Sequence, residues 1–348
     1  MNKILFSYIF KKQLKTIAFV AISVFFLILL FDFAEVSRKF PITNISEILY
    51  ALKLSFLRTP ITFCEIINYV YFITATFSLW DLCRSHQLTI FKSIGKSPQQ
   101  ILFPFISFSI FIGMCWLLVF HPVGIKSENL YRRSIESSKT SSFEKNNDIW
   151  IDFGKNKYVV FIKSIDKKQF SGFYLFNLKK NERVIAKSGE IDSDVITLKD
   201  VTLLKNDQIQ NLNKIKIFDN ISSELISLLS LPPHRQDVYS LYKVYKIQKR
   251  DKVYLRLYEL AFQKLLANCA TFILFALIAA VICFPINRYK TKTNIAVKVI
   301  FSALFLKFAN SMLESLAYAG VVSVVLSSWA VVLILICSAV SILVWKEA

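Results

Sequence analysis

Glycine is scarce in this chain, with seven residues among 348. A phosphate-binding loop of the form GxxxxGK[ST] needs glycines so that backbone amides can approach the phosphates, and the sequence contains no such motif. Histidine is also scarce: His86, His121 and His234 lie far apart, and no neighbouring residues resemble a catalytic triad or a metal site. We therefore expect no catalytic residue, no metal and no bound cofactor in this chain.

Cysteine is missing from the polar block at residues 126–250, and all six cysteines lie in or beside apolar runs. The polar block therefore cannot depend on disulfides, even in an oxidising compartment. No CxxC or Cys/His spacing indicates a metal site.

Long apolar runs are abundant: 54% of the residues are hydrophobic. A helix needs about 20 mostly apolar residues to cross about 30 Å of hydrocarbon. Three segments before the polar block and three after it satisfy this requirement. They are Ile17 to Phe31, Ile61 to Trp80, Ile101 to Phe120, Leu265 to Pro285, Val299 to Tyr318 and Trp329 to Trp345. The first run has the basic residues of a signal peptide before it, but no small-x-small cleavage site follows.

Lys and Arg near the span ends predict the orientation. They are concentrated at the N-terminus and in the loops after spans two and four, whereas the 319–328 loop has none. The positive-inside rule places both termini in the cytoplasm and the polar block outside. The net charge of +19 is spread over loops on both sides, which favours anionic lipid over nucleic acid as a partner.

Residues 149–218 read as short segments rich in β-branched and aromatic residues, separated by turn-prone stretches. This pattern predicts an antiparallel sandwich or barrel. The strand faces bearing Val160, Ile162, Tyr174 and Phe176 are expected to point inward, either as a packed core or as an apolar path. Residues from Val238 onwards predict a short amphipathic helix before span four.

The stretch from Asp81 to Pro98 predicts an amphipathic helix between spans two and three. Gly95 can end this helix and Pro98 can open the next one. Such a helix suits docking into a groove of another protein. The alternative is a helix that lies on the bilayer surface.

Three features resemble the LptF/LptG permeases of the lipopolysaccharide exporter. They are Phe33, Ala34 and Glu35 after span one, the Leu88 to Pro98 stretch, which is similar to the family's E-L-x-x-x-x-x-x-G-x-S signature, and His121 with Pro122 after span three. The segments Phe31 to Lys39, Asp148 to Phe161 and Leu241 to Tyr254 look more like LptG than LptF. The resemblance covers nearly the whole chain.

The resemblance implies a polytopic α-helical membrane protein with six transmembrane helices, three on each side of an inserted extracytoplasmic antiparallel β-jellyroll. The domains would be 1–125 with a coupling helix at about 84–97, 126–250 as the periplasmic jellyroll and a short helix, and 251–348. The chain would pair with a sister permease, a cytoplasmic ATPase dimer that uses ATP and Mg, and a membrane-anchored periplasmic jellyroll bridge. It would extract lipopolysaccharide from the inner membrane and pass it to that bridge.

The ATPase would grip the coupling helix. The candidate contacts are Arg84, Gln87, Leu88, Phe91 and Gly95. Gln87 stands where the family has a glutamate, so an ion pair to the ATPase does not carry over to this position. Leu265 stands where a proline often opens span four.

Basic residues near the outer leaflet are candidates for binding the phosphates of the lipid, because Arg can bind phosphate through two hydrogen bonds. These are Arg38, Lys39, Lys53, Arg58, Lys126, Arg132 and Arg133. The alternative is that they are interfacial anchors.

Lys307, Asn310 and Glu314 share one face of span five. Ionisable residues inside a span often serve function, so Lys307 and Glu314 are also candidates for contact with substrate. The alternative is a polar pair that only fixes helix packing. Two other classes of function stay open: an ion-coupled secondary transporter that uses Lys307 and Glu314, and a membrane scaffold whose β domain binds a partner.

Overall fold

The structure is a computed structural model. It describes residues 3–39, 44–85, 87–93, 95, 97–138, 149–153, 158–166, 169–177, 182–192, 195–205, 208–217, 228, 231–251, 255–284 and 292–345. The chain divides into two compact units, which we call the helical unit (Met1–Ser138 and Gln263–Ala348) and the β unit (Lys139–Phe262).

Helices make up most of the described residues. In chain order they are α1 (Lys3–Lys39), α2 (Ile45–Arg84), α3 (Gln87–Ser93), α4 (Pro98–Cys115), α5 (His121–Ser138), α6 (Val238–Asp251), α7 (Arg256–Cys283), α8 (Lys292–Tyr318) and α9 (Val324–Trp345). A π-helical segment, Trp116–Phe120, joins α4 to α5 without a break. A 3-10 turn, Pro233–Arg235, precedes α6.

Six helical stretches within the described residues are long and apolar enough to cross a bilayer. They are Phe6–Lys39, Ile45–Arg84, Gln100–Ile135, Arg256–Cys283, Asn294–Tyr318 and Val324–Trp345. The predicted six-span plan, with a β domain inserted between spans three and four, is confirmed. The first three stretches contain 34, 40 and 36 residues. At a rise of 1.5 Å per residue they are roughly 50–60 Å long, so they extend beyond about 30 Å of hydrocarbon.

The core of the helical unit forms around α2. In the most apolar 18-residue stretch of α2, 61% of the residues are buried. The corresponding stretches of α1, α8 and α9 are each 17% buried, so these three helices are peripheral. Phe72 of α2 stacks on Phe275 of α7 with ring centroids 4.6 Å apart. Gly113 of α4 lies so close to α7 that an added Cβ would be 3.0 Å from the carbonyl oxygen of Cys269.

Polar side chains buried in this core bond to one another across helices. The Tyr71 hydroxyl and the Ser109 Oγ are 2.7 Å apart, and Asn68 Nδ2 donates to Thr271 Oγ1 at 3.1 Å. Interhelical hydrogen bonds of this kind hold helices together inside a membrane. The polar Asn68 of span two therefore faces protein.

The π-helical segment opens the backbone of span three where it meets α2. The Trp116 indole donates to the carbonyl oxygen of Cys64 at 3.0 Å, and the Cys64 thiol donates to the carbonyl oxygen of Phe120 at 3.3 Å. These two bonds tie the wider turn to α2.

The described strands of the β unit form one antiparallel sheet. They are β1 (Ile149–Phe153), β2 (Tyr158–Asp166), β3 (Gln169–Asn177), β4 (Glu182–Asp192), β5 (Val195–Lys205) and β6 (Gln208–Ile217), and they pair in that consecutive order. Consecutive pairing is the order of a meander. The expected antiparallel β domain is thus present, and its described strands pair in the order of the sequence.

One line of interrupted pairing crosses the sheet. One residue pair is unpaired in each of four neighbouring ladders, although the register is the same on both sides of each gap. The unpaired positions are Lys163 opposite Gly172, Gly172 opposite Lys187, Lys187 opposite Asp200, and Asp200 opposite Asn213. Gly172 and Asp200 have φ values of 67° and 54°. An αL residue reverses the alternation of side chains, which explains why Leu198 and Val201 are both buried although they are three residues apart.

The inward face of β3 was predicted one residue out of phase. Phe173 and Leu175 are buried, whereas Tyr174 and Phe176 lie on the opposite face and are only partly covered. Successive aromatic and aliphatic residues make the two faces equally apolar, so period-two alternation cannot choose between them. The side chains of Val160 and Ile162 lie outside the described part of the chain.

Helix α6 confirms the amphipathic helix predicted before span four. It buries Val238, Leu241, Val244 and Ile247, while Tyr242 is 55% exposed. The Tyr245 ring stacks on Phe262 with centroids 5.2 Å apart, and Tyr258 donates to the carbonyl oxygen of Leu231 at 3.0 Å.

Candidate functional site

The connection between spans two and three contains the short helix α3. Gly95 has a φ of 77°, a left-handed conformation that ends the helical path. The Ser97 side chain then caps α4 by accepting from the Gln100 amide at 3.3 Å, and Pro98 occupies the first helical position. The predicted roles of Gly95 and Pro98 in the backbone are present. The helix itself covers residues 87–93 and is shorter than the expected 84–97.

The coupling candidates are distributed around this connection. Arg84 is the last residue of α2, and its guanidinium carbon lies 5.4 Å from the centre of the Trp80 ring. Gln87 begins α3, Phe91 is half-buried, and Gly95 is exposed. The side chain of Leu88 lies outside the described residues.

The N-terminal turns of α1 contact this connection through two polar pairs. Lys12 Nζ lies 2.5 Å from Asp81 Oδ2. The Tyr8 hydroxyl lies 3.3 Å from Gln87 Nε2 and 3.5 Å from Gln87 Oε1. Sequence reasoning missed Tyr8, Lys12 and Asp81, because these pairs join residues 69 and 79 positions apart. The one signal in the sequence was the i, i+4 spacing of Tyr8 and Lys12, which places both residues on the same face of α1.

A second group of charges, which we call the Arg58 cluster, joins α1 to α2 near the other end of α1. Asp32 is buried, with 7% of its side chain exposed, and it accepts from Thr59 Oγ1 at 3.1 Å. Arg58 lies 3.6 Å from Asp32 and 2.8 Å from Glu35, and Lys39 lies 2.6 Å from Glu35. Two acidic side chains therefore surround the guanidinium of Arg58.

The remaining basic candidates near this end differ in what they contact. Arg132 bonds to Glu128 through Nε at 2.9 Å and Nη2 at 2.6 Å. Four other residues are exposed, and among the described residues they have neither an ion pair nor a side-chain hydrogen bond. They are Arg38, Lys53, Lys126 and Arg133.

The two polar regions mark the ends of an apolar length of helix. Lys12 and Asp32 are 20 residues apart on α1, which is about 30 Å at 1.5 Å per residue. Lys15 is the only charged residue between them. This spacing equals the hydrocarbon thickness of a bilayer.

Glu314 of α8 is paired with a residue of another helix. Lys264 Nζ of α7 lies 2.6 Å from Glu314 Oε1, and the Tyr318 hydroxyl donates to the same oxygen at 3.3 Å. Lys307 is exposed, and the described residues bring no acidic side chain to it. The predicted face of span five thus holds one interhelical pair and one exposed lysine. In the part of the chain that the structure describes, no group of three or more His, Cys, Asp or Glu side chains could hold a metal ion.

Six apolar helices with a β domain between the third and the fourth define a class of protein, the multi-pass membrane protein with an inserted β domain. The family model for the lipopolysaccharide export system permease LptF/LptG matches residues 7–345, and the chain belongs to that family. It is therefore a permease of lipopolysaccharide export and a multi-pass protein of the inner membrane. Comparison with curated proteins gives no match.

Proposed function

We propose that this chain is one of two permease subunits in an ATP-driven exporter, which extracts lipopolysaccharide from the inner membrane and passes it to a periplasmic bridge of β domains. The family match over residues 7–345 supports the transport role. The observation that carries the proposal for ATP coupling is α3, a separate seven-residue helix between spans two and three. The sister subunit completes the permease, and the segments that look like LptG favour that member of the pair.

A cytoplasmic ATPase dimer binds α3. Arg84, Gln87, Leu88, Phe91 and Gly95 are the candidate contacts, and Ile90 is 54% exposed on the same helix. The amide of Gln87 can donate and accept hydrogen bonds but cannot form an ion pair. ATP and Mg act in the ATPase, and this chain binds no cofactor and catalyses no reaction.

The basic residues at the ends of the spans support the orientation. Both termini are cytoplasmic, and residues 126–250 form the periplasmic domain, because Lys and Arg are concentrated in the connections on the side of the N-terminus. Residues 1–125 and 251–348 form the membrane domain. The six-stranded sheet is then on the side of the membrane to which lipopolysaccharide is exported.

The phosphates of the lipid bind first to exposed cations near the outer leaflet. The exposed candidates are Arg38, Lys53, Lys126 and Arg133. Lys39, Arg58 and Arg132 already contact carboxylates, so a phosphate would have to displace those acids to bind there. Lys307 remains a candidate inside the membrane. Glu314 is paired with Lys264, which favours a packing role for Glu314 over the ion-coupled alternative.

Photo-crosslinking tests the coupling role. A photoreactive amino acid at Ile90 should crosslink to an ATPase with a Walker motif when the complex is irradiated in the membrane. The same substitution at Leu333, which is exposed on α9 within a span, is the matched control and should not crosslink to it. Equal crosslinking at both positions, or crosslinking only to lipid at Ile90, would leave α3 as a helix on the bilayer surface.

A further inference from the structure

The base of α1, which we define as residues 6–13, contacts both sides of the connection that contains α3. Its polar residues face the end of α2 and the start of α3, where Lys12 meets Asp81 and Tyr8 meets Gln87. These contacts bracket the two-residue gap between the helices, because Asp81 is in the last turn of α2 and Gln87 is the first residue of α3.

The aromatic residues of the same base pack on α4, which follows α3. The Phe10 ring meets Phe108 edge to face with centroids 4.9 Å apart, and it lies 5.9 Å from Phe111. Phe6 lies 6.4 Å from Phe103. Edge-to-face and tilted pairs at these distances are attractive. The base of α1 therefore contacts the elements before and after α3.

Around the surface of the helix, two buried residues lie between the polar pair and the aromatic pair. Ile9 is 1% exposed and Gln13 is 2% exposed. Further along, α1 is largely exposed to its surroundings, with only 17% of its most apolar window buried. The middle of α1 is thus loosely packed, and the helix is held at its base and, near its other end, by the Arg58 cluster.

We propose that Lys12 and Tyr8 are positioning residues that fasten the base of α1 to the coupling connection, so that a displacement of α3 by its partner is transmitted to span one. This inference rests on the proposed function, in which an ATPase binds α3. Because Asp81 pairs with Lys12, the end of α2 moves with α1. Because Gln87 bonds to Tyr8, α3 moves with them. Gln87, which stands where the family has a glutamate, thus links α3 to α1 within this chain.

Charge exchange tests the polar link in the assembled exporter, reconstituted in lipid vesicles with lipopolysaccharide. Lys12→Met and Asp81→Asn should preserve assembly and ATP hydrolysis, while the lipopolysaccharide released per ATP falls by about two- to fivefold, the effect expected from losing one partly exposed ion pair. The double exchange Lys12→Asp with Asp81→Lys should restore the ratio. Lys15→Met removes a charge one turn away and is the matched control, which should leave the ratio unchanged.

The result that would overturn the proposal is an unchanged ratio in both single variants, or a loss that the charge exchange does not repair. A wild-type complex that hydrolyses no ATP would instead refute the proposed function, so the two failures are distinguishable.

Crosslinking supplies a second test that does not depend on the strength of the ion pair. Tyr8→Cys with Gln87→Cys, in a chain with Cys337→Ser to remove an exposed thiol, should be joined by a bis-maleimide whose spacer contains a disulfide. A spacer is needed because the Tyr8 and Gln87 side chains meet only at their tips, which is too far for a direct disulfide between cysteines. If α1 and α3 move together, the crosslinked exporter keeps most of its ATP-dependent release. Release that stops on crosslinking and returns when the spacer is reduced would show that the two helices must separate, and would overturn the proposal.

Discussion

Lys264 Nζ lies 2.6 Å from Glu314 Oε1, and this contact joins α7 to α8. The pair accounts for one of the two ionisable residues that the sequence places in span five. Glu314→Gln should lower the thermal stability of the detergent-solubilised chain slightly, by about 0.5 kcal/mol, since half of the Lys264 side chain is exposed. Exchanging the two charges should restore stability.

Lys307 provides the contrasting case, because it is exposed on the same helix and has no acidic neighbour among the described residues. Lys307→Met should leave the thermal stability unchanged. If Lys307 contacts lipopolysaccharide, the variant should also release less of it from vesicles. Normal assembly with unchanged release would end the idea of a contact inside the membrane.

Arg58 and Arg133 should respond differently to the loss of charge. Arg58→Met leaves Asp32 buried without its cation, and breaking such a pair costs about 3 kcal/mol. Arg133→Met removes an exposed side chain and should leave stability unchanged while weakening lipopolysaccharide binding. Unfolding curves and lipid binding of the two variants, measured in parallel, separate a structural arginine from one that contacts substrate. Equal stability of both variants would contradict the role assigned to the Arg58 cluster.

Gly113 should tolerate no side chain, because the Cβ of a larger residue would meet the backbone oxygen of Cys269 at 3.0 Å. Gly113→Val should destabilise the helical unit by about 1–3 kcal/mol, the usual cost of overpacking. Met114→Val, at an exposed position on the same helix, is the control and should have little effect. Equal thermal stability of the two variants would refute close packing between α4 and α7.

Gly95 should be sensitive for a different reason. An added Cβ would meet nothing within 4 Å, but the φ of 77° is unfavourable for a β-branched residue. Gly95→Val should weaken binding of the ATPase by about five- to thirtyfold through a strain of roughly 1–2 kcal/mol. Gly95→Asn should be milder, since asparagine adopts this conformation more readily. Titration of the ATPase onto both variants measures the difference, and equal affinities would contradict this account.

The six spans could be predicted from the sequence because a bilayer requires about 20 apolar residues per helix. The lengths of the first three helices could not. Their extensions contain polar residues and are stabilised by tertiary packing, as in the cluster of Val36, Ala51 and Leu54 with Tyr131 and Ile135. Hydropathy does not detect contacts of this kind.

The β domain was predictable as a set of strands but not in its detail. The sequence pattern predicts short segments separated by turn-prone stretches, yet Val195–Lys205 forms one strand, β5, with Asp200 in the left-handed region inside it. The local pattern of residue types does not distinguish a turn between two strands from a single left-handed residue inside one strand.

The candidate site was predictable only in part. Gly95 and Pro98 are local backbone signals, and both act where the sequence places them. The pairing of Arg58 with Asp32, of Glu314 with Lys264 and of Lys12 with Asp81 depends on how helices distant in sequence pack together. Composition and spacing identify these residues as polar groups at span ends without identifying their partners.

We propose that this chain works in an ATP-driven lipopolysaccharide exporter. The most direct measurement is to tag the chain, extract it in mild detergent and identify by mass spectrometry the proteins and lipids that copurify. We predict an ATPase with a Walker motif, a second six-span permease and bound lipopolysaccharide. Recovery of the chain without any ATPase, under conditions that preserve other membrane complexes, would contradict the claim.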